Sequence, residues 1–75
     1  PLFEISYSYT TIRGNHKKAK KYVFLQDHEE IDIEIELLMK DWVEDYNRQR
    51  PYRKISNVQI LGIRILSFGS ISIDH

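Results

Sequence analysis

The chain contains no cysteine, only two prolines and three glycines, and no excess of charge of either sign, with eleven basic side chains against eleven acidic ones in 75 residues. Without cysteine there is no disulfide framework, no thiol nucleophile and no thiolate-held metal. Gly14, Gly62 and Gly69 are dispersed, which excludes a glycine-rich phosphate loop. Long apolar runs are missing too. The longest without glycine is Tyr22-Val23-Phe24-Leu25, far short of the roughly 18 residues that a membrane span needs. The start of the chain lacks the basic and apolar regions of a signal peptide, so a soluble, cytoplasmic protein is expected. Its length fits one domain, residues 1–75. A domain of this size buries only about 60–65% of the surface its unfolded chain exposes, which leaves little room for an internal substrate cavity.

What is present is an alternation of periods. From Leu2 to Ile12, Phe3, Ile5, Tyr7 and Tyr9 fall on one side and Glu4, Ser6, Ser8 and Thr10 on the other, the period of a half-buried strand. Arg13-Gly14-Asn15-His16-Lys17-Lys18 reads as a polar turn, followed by a second strand at Tyr22–Leu25, so that a hairpin with a long basic tip is expected. From Asp27 the period changes. Ile31, Ile35, Leu38, Met39, Trp42, Val43 and Tyr46 form a stripe about 140° wide at 100° per residue, which predicts a helix over about 28–48. Asp27 and Glu30 have the spacing of an acidic capping box, and Pro51 lies where the helix should stop. The same stretch carries a second signal, because Ile31, Ile33, Ile35 and Leu37 alternate with Asp32, Glu34 and Glu36; a strand ahead of a later helix start remains open. Residues 55–67 read as a third strand, bent near Gly62, and Ser70–Ile73 as a fourth at an edge. The fold class is α+β, ββαβ(β), an antiparallel sheet of three or four strands covered by one amphipathic helix. With so small a core, homo-oligomerisation through the edge of the first or fourth strand is available.

The neutral total hides blocks of charge. Arg13, Lys17, Lys18, Lys20 and Lys21 form a stretch without an acid; Asp27, Glu29, Glu30, Asp32, Glu34 and Glu36 form one without a lysine or arginine; Arg48, Arg50, Arg53 and Lys54 form another without an acid. A helix packed back across the hairpin returns toward its tip, which brings the two basic blocks to one end and leaves the acidic block at the other. Such a basic end attracts phosphate backbones or an acidic protein surface, with His16 and Tyr52 interleaved as groups able to stack on bases. The candidate binding residues are therefore Arg13, His16, Lys17, Lys18, Lys20, Lys21, Arg48, Arg50, Tyr52, Arg53 and Lys54, and the partner class is a nucleic acid or a nucleic-acid-handling complex. The competing reading is structural, since acids at a helix start and bases at its end complement the helix dipole, and lysines at a hairpin tip discourage edge pairing. An alternative function is protein recognition through the acidic helix start or the exposed sheet.

Reaction chemistry is sparsely supplied. His28 with Asp32 and Glu29 or Glu30 is the best local set of metal ligands, and one histidine amid carboxylates at a helix start is ordinary surface charge, so no metal and no cofactor are expected. Pro1-Leu2-Phe3-Glu4-Ile5 resembles the start of the tautomerase superfamily, in which an amino-terminal proline acts as general base. That resemblance implies Pro1 as base with Arg13 or Arg53 as a clamp for a substrate carboxylate, although the lysine-rich hairpin is foreign to the short tautomerase pattern. The order of strand, basic turn, Tyr22-Val23-Phe24-Leu25, charged helix and Ile55-Ser56-Asn57-Val58-Gln59-Ile60 resembles the small ββαβ proteins of phages and mobile elements, some anti-CRISPR proteins among them. This second resemblance implies non-enzymatic binding to a host protein or nucleoprotein complex, as a regulator or inhibitor.

Overall fold

The computed structural model describes residues 1–26 and 29–67. They form β1 (Leu2–Thr11), β2 (His16–Phe24), α1 (Ile31–Gln49) and β3 (Ile55–Ser67). The sheet has the order β2-β1-β3, with β1 antiparallel to both neighbours. The fold is thus the expected α+β, ββαβ arrangement with one helix on a three-stranded sheet. Asp27 and His28 of the expected helix start, and the expected fourth strand at Ser70–Ile73, lie outside the described residues.

The alternation of β1 places Phe3, Ile5 and Tyr7 beneath the helix, where they form a buried cluster with Ile35 and Met39. Ala19 and Val23 from β2 and Val58, Ile60 and Ile63 from β3 pack around it. β2 begins earlier than its composition suggests. Lys17 pairs with Tyr9, Lys18 with Ser8, Lys20 with Ser6 and Lys21 with Ile5, so these lysines belong to a strand and not to a long tip. Pairing along all of β1 outweighs the weak strand propensity of lysine. The connection shrinks to Ile12–Asn15, closed by Gly14 N donating to Thr11 O (2.9 Å) and Thr11 N to Asn15 O (2.8 Å). Gly14 supplies the positive φ of 86° that this tight connection requires.

The helix resolves the conflict of periods at residues 31–37 in favour of 3.6. Ile35 is fully buried, whereas Ile33 and Leu37, on the outer side, are each 58% exposed. Leu38, expected in the core, is 41% exposed; three strands make a sheet only about 10 Å across, too narrow to cover the margin of so broad a stripe. The N-cap of the helix is Glu30, in the left-handed region with φ 54° and with no side-chain cap hydrogen bond; the expected capping-box partner, Asp27, lies outside the described residues. Asp32 and Glu34 in the first turn and Arg48 in the last complement the dipole. At the other end, Asn47 grips the start of β3: its Nδ2 donates to Ile55 O (3.0 Å) and its Oδ1 accepts from Ile55 N (2.8 Å).

In β3 the register slips by one between Ser6 and Tyr7, leaving Leu61 as an extra residue between Ile60 and Gly62. This is the bulge expected near Gly62. Because β1 is central, it has no free edge, and the homo-oligomeric contact expected through β1 is not available; among the described strands the edges are β2 and β3. Among the described residues, no helix is long and apolar enough to cross a membrane.

Truncating two neighbouring isoleucines separates helix from strand. Ile35→Ala should cost about 2–5 kcal/mol in urea denaturation, while Ile33→Ala should stay within about 0.5 kcal/mol; a strand would put both residues on one face and equalise the losses.

Candidate functional site

The two basic segments do meet. Thr11, at the end of β1, pairs with Ile55, the first residue of β3, so the hairpin connection lies beside the loop between α1 and β3. Between them is a cleft of about 490 Å³ with Tyr9 and Tyr46 in its wall and Arg13, Lys17, Tyr52, Arg53 and Lys54 around it. No acidic residue lines it. Tyr52 is 90% exposed, so its ring stands in solvent and does not pack against the helix end.

The remaining candidates go elsewhere, for reasons of strand and helix geometry. Successive strand residues point to opposite faces, so Lys17 and Lys21 share the helix side of β2 while His16, Lys18 and Lys20 lie on the other. Lys21 Nζ sits 4.3 Å from the centre of the Trp42 ring, and the Arg50 guanidinium 4.4 Å from that of Tyr46. Trp42 packs in turn edge-on to Tyr7 at 5.5 Å and against Tyr46 at 5.6 Å, so these two cations bracket an aromatic row along the helix. Arg48 pairs with Asp45, one turn back. Lys20 Nζ lies 3.9 Å from Glu4, and His16 Nδ1 meets the Thr10 hydroxyl at 3.1 Å. Lys20, Lys21, Arg48 and Arg50 are thus engaged within the fold. Arg13, Lys17, Lys18, Arg53 and Lys54 have no ion-pair or aromatic partner among the described residues.

The arrangement implied by the tautomerase likeness is not assembled. Pro1 is buried and its carbonyl accepts a hydrogen bond from Leu25 N at 3.0 Å. Arg13 and Arg53 stand at the far end of β1, whose ten residues span about 34 Å. A larger depression, about 620 Å³, runs between α1 and β3 over Met39, Val43, Val58 and Ile60, with Glu36, Lys40 and Glu44 on its rim. Its mixed charge sets it apart from the basic end. Among the described residues, no three histidine, aspartate or glutamate side chains converge as metal ligands.

Sequence reasoning passed over Glu4, a buried carboxylate 8% exposed on the sheet face away from the helix. Its Oε2 accepts from the Tyr22 hydroxyl (3.3 Å) and from Arg64 (3.2 Å). The available signal is the alternation itself: a lone acid in a strand of apolar and hydroxyl residues, opposite Tyr22 with Lys20 on the diagonal.

The aromatic row has one titratable consequence. Burial raises the Tyr7 phenol above its ordinary value of 10.0, and the nearby Tyr9 and Tyr46 add to the rise. The fold therefore holds the neutral phenol. Its contribution to stability is whole below about pH 10, where the unfolded chain keeps the proton as well, and is lost as pH climbs through the folded value. Urea denaturation from about pH 8 to about pH 11 should show this fall above about pH 10, and Tyr7→Phe should flatten it.

No protein-family model matches the chain, and neither a curated protein nor a solved structure matches it.

Proposed function

We propose that the domain is a non-enzymatic binding module whose basic end holds the phosphate backbone of a nucleic acid, free or within a nucleoprotein complex. One observation carries this reading: cations separated by some forty positions in the sequence, Arg13 and Lys17 against Arg53 and Lys54, surround a single acid-free cleft. Helix-dipole complementarity does not account for them. That role falls to Arg48, in the last helical turn, whereas the cleft cations stand on the hairpin and on the loop beyond the helix. Closely spaced like charges repel, and a bound polyanion relieves that repulsion while releasing its own counterions. The exposed Tyr52 ring adds a flat surface beside the charges on which a base can stack. In the setting that the phage-protein likeness implies, such a contact would regulate or inhibit a host nucleoprotein machine.

A second reading has its own observation. Ile33 and Leu37 are exposed on the outer helix face among Asp32, Glu34 and Glu36, a patch that suits a basic protein partner. Co-purification after nuclease treatment separates the two, since a partner held through nucleic acid is lost and one held by the helix survives.

The direct test is fluorescence anisotropy with generic DNA and RNA at two salt concentrations. If four cations neutralise about four phosphates, the slope of log K against log salt should be about −3 to −4. Replacing Arg13, Lys17, Arg53 and Lys54 together by glutamine should abolish most of it, and each single replacement should flatten the slope by about 1. Lys40→Gln, at the α1–β3 depression, should leave it unchanged. Binding that keeps its salt slope in the fourfold variant overturns the reading.

A further inference from the structure

Charge in this fold is divided between layers as well as between ends. The three strands carry Lys17, Lys18, Lys20, Lys21 and Arg64 against the single acid Glu4, a net charge of +4; the helix carries Asp32, Glu34, Glu36, Asp41, Glu44 and Asp45 against Lys40 and Arg48, a net charge of −4. A polyanion approaching the outer surface of the helix, away from the basic cleft at its end, meets the acidic layer. On the opposite side no described element covers the sheet, and Lys18, Lys20 and Arg64 stand there against Glu4, a net charge of +2.

That open face has the parts of a stacking platform. Alternation along β2 brings Tyr22 and Phe24 to the same face, about 6.8 Å apart along the strand, and both rings are largely in solvent, 56% and 62% exposed. The one carboxylate on the face does not repel a phosphate freely: Glu4 is buried, pairs with Arg64 and Lys20, and accepts from the Tyr22 hydroxyl. It fixes the hydroxyl of Tyr22, while Lys18, farther along β2 opposite Ser8, has no ion-pair partner among the described residues. The middle of the face is low. Ser6 lies opposite Gly62, and a trough of about 240 Å³ runs there between Lys18, Lys20 and Leu61. A Cβ at Gly62 would touch nothing within 4 Å, so packing does not demand the glycine.

We infer that the uncovered sheet face binds single-stranded nucleic acid, with Tyr22 and Phe24 stacking unpaired bases and Lys18, four residues back along β2 toward the cleft, meeting the backbone that leads to them. The inference rests on the polyanion reading above and adds strandedness to it. Lys18 directly follows Lys17 of the basic cleft, so a backbone held in the cleft continues over the end of β2 onto this face. A duplex keeps its bases paired and stacked and has nothing to offer the rings; only an unpaired strand presents free base faces to them.

The experiment compares a labelled single strand, as DNA and as RNA, with the corresponding duplex, all against the full chain. The single strand should bind more tightly than the duplex. Phe24→Ala and Tyr22→Ala should each weaken single-strand binding by about 5- to 150-fold, the effect of removing one aromatic–base stack, with duplex binding unchanged. Tyr22→Phe keeps the ring and gives up only the bond to Glu4, so it should bind like the parent chain. Equal affinity for strand and duplex, or indifference to Phe24→Ala, overturns the inference while binding lost in the fourfold cleft variant still upholds the cleft. A dimer, detected by light scattering, that Phe24→Ala dissociates also overturns it, because the face would then be a contact between copies. Failure of the parent chain to bind any of these polymers removes both readings together.

Discussion

Two faces of one strand govern this molecule. β1 pairs with both of its neighbours, and it carries the buried side chains Phe3, Glu4, Ile5 and Tyr7. Toward the helix its odd-numbered residues make the hydrophobic cluster; away from the helix Glu4 collects a tyrosine hydroxyl and two cations. A one-residue slip in the pairing of β1 would exchange these two sets, exposing the apolar residues and placing a carboxylate beneath the helix. Register is therefore fixed by chemistry on both sides of the strand. The positions of the lysines on β2 follow from it, since each takes its face from the β1 residue opposite.

The parts of the fold written in a single period are legible in the sequence. Phe3, Ile5 and Tyr7 announce β1 because one face of it is buried, and Trp42 and Tyr46 join Ile35 and Met39 at helical spacing. The stretch at Ile31–Leu37 satisfies both periods, and only the presence of a sheet for Ile35 to cover decides between them. The extent of β2 is hidden for a different reason. Lysines favour no strand by themselves, and it is the length of β1 that draws Lys17–Lys21 into pairing.

The basic end was legible in its charge and its convergence but not in the partners of its individual side chains. Two cationic blocks around a returning helix already imply convergence, and Arg13, Lys17, Arg53 and Lys54 meet as that topology requires. The blocks do not act as single units, however. Alternation sends Lys18 and Lys20 to the face opposite Lys17 and Lys21, and the aromatic row captures Lys21 and Arg50. Arg50 lies four residues from Tyr46, but the partners Lys21 and Trp42, like Glu4 and Arg64, are far apart in the chain, and no local window of sequence contains them.

The hold of Asn47 on both backbone groups of Ile55 reaches beyond the helix end it stabilises. Arg50 N also donates to Tyr46 O, and Arg53 N to Arg50 O, so the loop bearing Tyr52, Arg53 and Lys54 is closed at its base and braced within. Ordering a loop on binding costs conformational entropy that is subtracted from affinity. Here much of that ordering is completed when the chain folds, and the basic rim meets its partner with its backbone already set.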